Sequence, residues 1–91
     1  MLENNPELVE TIRKLKRQGT PSADILRFLA DHDLMAVEMM SHFREAFGLE
    51  FGDVNCIGGW FPDGSGELDD DAVSRLLDRA IAERAVDGER P

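Results

Sequence analysis

The apolar residues recur at helical spacing along most of the chain, and the breaks between the runs carry helix start and stop signals. Leu8, Ile12 and Leu15 fall on one face, with Asn5 placed to cap the segment and Pro6 at its first position, where a missing N–H costs nothing. Gly19 ends this run. Thr20-Pro21 repeats the start signal, and Ile25, Leu26, Phe28 and Leu29 give a second helix its buried side before Asp31-His32-Asp33 interrupts it. With Asp33 as cap, a third helix carries Ala36, Met40, Phe43 and Phe47 at helical spacing and closes at Gly48, a natural left-handed terminator. A shorter helical segment is predicted around Asp53 to Ile57, followed by a connection rich in glycine. In the last helix Asp69 is the best cap, because Leu68 and Val73 then stand where a hydrophobic staple needs them. Its core stripe is Val73, Leu76, Leu77, Ala80 and Ile81.

No segment alternates with a period of two, so the expected fold is all-α: one compact bundle of four to five short helices over residues 1–87, with 88–91 as a flexible tail. Ninety-one residues make a single domain, and a hydrophobic share of 42% against 32% charged places the chain among globular sequences. The single cysteine, Cys56, rules out an internal disulfide. With no basic start leading into a long apolar run and no window of about 18 apolar residues, the reading is a cytoplasmic protein that does not enter a membrane.

Charge sharpens the picture because it is unevenly spread. The formal net charge is −9, and between Arg44 and Arg75 there are eight acids and no Lys or Arg. Phosphate backbones are bound by clustered cations, so direct nucleic-acid binding by this half is unfavourable, whereas a basic protein partner would be attracted. The basic cluster Arg13-Lys14-x-Lys16-Arg17 sits at the C-terminal turn of the first helix, where cations complement the helix dipole.

The stretch FPDGSGELDDDA, residues 61–72, is the one with a possible metal chemistry. With Gly66 at the sixth position of a calcium loop, Asp63, Ser65, Glu67 and Asp69 fall at the third, fifth, seventh and ninth. Both ends fail, since Phe61 replaces the first carboxylate and Ala72 the bidentate glutamate. A glycine turn leading into a helix cap is therefore expected, with no metal site and no cofactor. His32, His42 and Cys56 have no zinc-site spacing and no base positioned beside the thiol, and a chain this short offers little volume for an enclosed cleft, so no catalytic residue is assigned. Gly58-Gly59-Trp60-Phe61-Pro62 places the single Trp and a neighbouring Phe between a diglycine and a proline, flanked by acids. Aromatics ringed by polar groups are typical interface anchors, and the alternative is that one or both close the end of the small core.

Residues 43–54, FREAFGLEFGDV, resemble through Arg44, Glu45, Ala46, Gly48 and Leu49 the helix–loop–helix of the C-terminal domain of the bacterial ribosomal stalk protein, which implies a turn geometry and a bacterial origin. A second likeness is carried by Ser41-His42-Phe43 at a helix end, then Trp60-Phe61-Pro62, then an acidic start to the final helix. In that order they resemble the colicin DNase immunity proteins, although that family has a Tyr pair before its proline and this chain has no Tyr. The resemblance implies inhibition of a basic toxin by acids and exposed aromatics, without catalysis. The expected function is thus a protein-binding module of immunity or antitoxin type, with Trp60, Phe61, Asp63, Glu67, Asp69, Asp70 and Asp71 meeting the partner. The alternatives are a homodimeric structural or regulatory subunit joined through the Met-rich third helix and, more weakly, a calcium-responsive module.

Overall fold

The computed structural model describes residues 3–88. Five α-helices follow one another, α1 (Pro6–Arg17), α2 (Ser22–Asp31), α3 (Ala36–Phe47), the single turn α4 (Phe51–Val54) and α5 (Asp70–Gly88), with a 3₁₀ turn at Asn55–Gly59 after α4. The described residues contain no strand, in keeping with the all-α expectation. Gly88 is the last residue of α5, and the rest of the tail expected over 88–91 lies outside the described residues.

Two helices start as their own side chains dictate. Asn5 Oδ1 accepts from the amides of Glu7 at 2.9 Å and Leu8 at 3.4 Å, and Asp69 Oδ1 accepts from Ala72 at 2.8 Å, each satisfying N–H groups that a helix end leaves open. Two others depart from expectation. In α2 the cap position is Pro21, which has no side-chain acceptor, and the amide of Ala23 donates to Ser74 Oγ of α5 at 2.9 Å, so the cap comes from across the bundle. In α3 the cap position is Met35, and Glu38 reaches back to accept from the Met35 amide at 3.0 Å. Asp33, expected to cap α3, instead closes α2: its φ of 65° puts it in the left-handed region, and the Leu34 amide reaches back to Leu29 O at 3.3 Å. Aspartate tolerates that conformation better than most residues, and here it does what Gly19 and Gly48 do for α1 and α3.

The core gathers one face of every helix. Leu8 and Ile12 meet Ile25, Leu26 and Leu29, together with Phe43, Val54, Ile57, Val73 and Leu77. The apolar periodicity named most of these. It missed Val9, Met39 and His42, which are buried, and it assigned Leu76 to the core stripe of α5 although that residue is 49% exposed. Leu76 stands about 100° round the helix from Leu77, and it is Leu77 that is buried.

Polar links join elements far apart in sequence. Asp78 of α5 takes both the Lys16 ammonium of α1 and the Ser22 hydroxyl at the start of α2. Arg13 donates to the last carbonyls of α3, Ala46 O at 3.0 Å and Glu45 O at 3.3 Å. The basic cluster of α1 therefore does more than complement its own dipole: it also closes the C-terminal end of α3 and ties down α5.

Candidate partner-binding surface

The connection from Gly59 to Asp69 has an inner wall and an outer rim, and two adjacent aromatics divide between them. Trp60 is 1% exposed and lies in the core. Its backbone is extended, its amide donates to Ile57 O at 3.2 Å, and its indole turns inward, where Nε1 donates to Asp70 Oδ1 at 2.9 Å. The other Asp70 oxygen accepts from Arg27 Nη1 at 2.6 Å, and the Arg27 guanidinium stands 5.3 Å from the centre of the indole ring. The Arg27 hydrogen bond, followed by that from Trp60, holds the Asp70 carboxyl below its ordinary range, and Asp70 in turn raises Arg27. This corrects the expectation that Trp60 is an exposed anchor. A buried indole needs a partner for its N–H, and the first residue of α5 supplies one.

Backbone contacts brace the same wall. The Leu68 amide donates to Gly59 O at 2.9 Å, and the chain at Gly66 comes so close to this strand-like approach that a Cβ there would overlap the Gly59 carbonyl oxygen and lie 3.0 Å from the Phe61 nitrogen. Gly66 is therefore fixed by close approach. Gly64, with φ of 83°, closes a turn in which its amide donates to Phe61 O at 3.0 Å. Arg27 also donates from Nη2 to Pro62 O at 3.3 Å.

The outer rim carries the remaining residues expected to meet a partner. Phe61 is 47% exposed, and Asp63, Glu67, Asp69 and Asp71, along the same connection and the start of α5, are exposed as well. Asp69 and Asp71 line two open concavities of about 370 and 390 Å³, the first shared with Arg27 and Gly64, the second with Arg75 and Leu76. Among the described residues no Lys or Arg forms an ion pair with Asp63, Glu67, Asp69 or Asp71, whereas Asp70 pairs with Arg27, and Glu50 and Asp53 with Arg84. The uncompensated charge of the acidic segment is thus concentrated at this rim.

The acids of the would-be calcium loop each have a separate local task. Asp63 accepts from the Ser65 hydroxyl at 2.6 Å and the Ser65 amide at 2.9 Å, bonds that lower its carboxyl, while Asp69 caps α5. Among the described residues no three His, Cys, Asp or Glu side chains converge as a metal site. His32 is exposed, its ring tilted against Phe28 with centroids 4.6 Å apart, and His42 is buried between α3 and the start of α1. Cys56 is half-buried, which pushes its thiol up.

On the third helix, where the alternative reading expects a dimer surface, the structure shows a groove. Val37, Met40, Ser41 and Arg44 of α3 line a groove of about 290 Å³ with Phe51 of α4, which is 60% exposed. Met40 belongs to the apolar spacing that predicts α3, whereas Val37 and Phe51 lie outside it and are exposed. Of the methionines in that helix and its cap, Met35 is exposed, Met39 is buried and Met40 is partly buried.

Among the described residues no helix is long and apolar enough to cross a membrane. Comparison with protein families, with characterised proteins and with solved structures finds no match to this chain.

Proposed function

We propose that this domain is a non-catalytic protein-binding module that engages a basic protein through the outer rim, as an immunity-type or antitoxin-type inhibitor would. The observation that carries the reading is the division of the 59–71 connection. Its inner wall is fastened by Trp60, Asp70, Arg27 and the Gly66 approach, while Phe61 and four carboxylates that have no cationic partner among the described residues are exposed. A rim held in place before binding loses little conformational freedom on association, and clustered like charge steers an oppositely charged partner.

The first test is whether a gene adjacent to this one encodes a basic protein that binds the domain; a solitary gene counts against the reading. Reversing Asp63 and Glu67 to Lys is expected to slow association and weaken its salt dependence, since exposed charges act over a Debye length of about 8 Å. Phe61→Ala is expected to speed dissociation, at a cost of about 2 kcal/mol for a true anchor. Unchanged rates for both variants, each folded, would move the interface elsewhere.

The α3–α4 groove favours a second reading, a homodimer through the third helix. Its measurement is mass against concentration by sedimentation, and a Val37→Glu variant that abolished a concentration-dependent mass would establish it.

A further inference from the structure

We propose that two copies of this chain pair through the α3–α4 groove, with the two α3 helices antiparallel and Phe51 of each copy seated in the groove of the other. This rests on the homodimer reading of the third helix, and adds to it the direction of pairing and the residues that set it. A symmetric pair uses one patch twice, so the patch must carry both a projection and a hollow. Val37, Met40, Ser41 and Arg44 wall a hollow of about 290 Å³, and Phe51 beside them is 60% exposed. Of the exposed large apolar side chains, Phe61 belongs to the rim and Leu76 to α5, whereas Phe51 and Val37 come together here. Met40 is backed by the 3₁₀ turn, where a Cβ on Gly58 would come within 3.3 Å of its Cε. An aromatic ring entering the hollow therefore meets a braced apolar side chain.

Charge selects a second copy and its direction. The chain carries −9, so two copies repel across most of their surfaces, and contact through the acidic rim would set carboxylate against carboxylate. In the groove the one charged lining residue is Arg44, which is exposed and in no ion pair among the described residues; its Nε lies 3.5 Å from Leu49 O. Toward the head of the same helix stands Glu38, with one carboxylate oxygen on the Met35 amide. Parallel helices would bring Arg44 to Arg44 and Glu38 to Glu38, like against like. Antiparallel about an axis between Met40 and Ser41, the two Arg44 residues stand about 10 Å apart along the helices, each beside Val37 and Glu38 of the other copy. The opposed dipoles of the two helices favour the same direction. The lining residues are few beside the roughly 20–30 a side of a standard interface, so the pair is weak and forms only at high concentration.

Two measurements test this. Sedimentation equilibrium of the full chain from about 10 μM to about 1 mM should show the mass rising from one chain toward two. Phe51→Ala and Arg44→Glu, each at an exposed position, should raise the dissociation constant about tenfold or more while leaving the melting temperature of dilute protein unchanged. Isotope-filtered NMR on an equal mixture of labelled and unlabelled chains reads the direction: contacts between copies should join the Phe51 ring of one to the Val37 and Met40 methyl groups of the other. A mass that stays at one chain throughout overturns the homodimer reading and the pairing with it. A rising mass that neither substitution affects, or filtered contacts that join Val37 to Val37, leaves the homodimer standing and overturns this pairing. If a variant does not fold, the filtered contacts of the unmodified chain decide alone.

Discussion

Trp60 and Phe61 are neighbours in sequence and opposites in situation: one is 1% exposed with its N–H bonded to Asp70, the other 47% exposed at the lip of the same connection. The inner wall and the outer rim are thus two regions with different duties made from interleaved residues. What separates them is where the cations are. Arg27 reaches Asp70 and Pro62 on the wall, and no described cation pairs with the carboxylates of the rim. Composition alone treats Asp69, Asp70 and Asp71 as one acidic run. In the fold they are a helix cap, the acceptor for a buried indole and an open surface charge.

The division can be broken from the wall outward. The largest effect is expected for Trp60→Ala, which should destabilise the domain by about 3–5 kcal/mol through the cavity it leaves in the core, measured by chemical denaturation. A loss under about 1 kcal/mol would place the indole outside the core. Next comes Gly66→Ala, where the new methyl meets the Gly59 carbonyl and the connection must open, at a cost of about 1–3 kcal/mol. If melting is unchanged, the close approach is not a constraint.

Asp70→Asn sharpens the comparison through pH. The Asp70 carboxyl is held below the ordinary aspartate value of 3.8, so its contribution is present above that range and is lost as the pH falls through the depressed value. Asp70→Asn should therefore lower stability at neutral pH by less than Gly66→Ala does, and the gap to the unmodified protein should close in strong acid. A gap that does not narrow at all as the pH falls into strong acid would mean that the charge is not what Arg27 and Trp60 hold. Smallest of all is Phe61→Ala, expected to leave stability within about 0.5 kcal/mol while altering partner dissociation. A clear drop in melting temperature would assign Phe61 to the wall.

Much of the fold was legible because much of it is local. The starts of α1 and α5 lie in Asn5 and Asp69 themselves, and the ends of α1 and α3 in Gly19 and Gly48, so a reader of the chain finds them where they are. The start of α2 is marked locally by Thr20-Pro21, but the acceptor that caps it is Ser74, 51 residues away, and nothing near Pro21 announces that. Asp33 misleads for a different reason, since aspartate serves both as an N-cap and in the left-handed position that ends a helix, and the one-turn gap before α3 decides between them. For the candidate surface the residues were found but their orientation was not. An aromatic beside a diglycine can turn in or out, and the choice at Trp60 rests on Arg27 and Asp70 converging from α2 and α5. His42 was unreadable in the same way, because its partner amide belongs to α1.

The Asp78 clamp bears on the order in which the chain can become native. Lys16 and Ser22 both wait for a carboxylate roughly sixty residues later, and the Ala23 amide waits for Ser74 on the same helix. During synthesis α1, α2 and α3 leave the ribosome while α5 is still to be made, so their pairing is provisional and the entrance to α2 stays uncapped. The contacts that α5 brings span 51 to 62 residues, so each carries a larger loop-closure entropy than the local turns of the helices do. A cell handling this protein would meet the emerging chain as a loosely joined set of helices, sealed by the arrival of the last one.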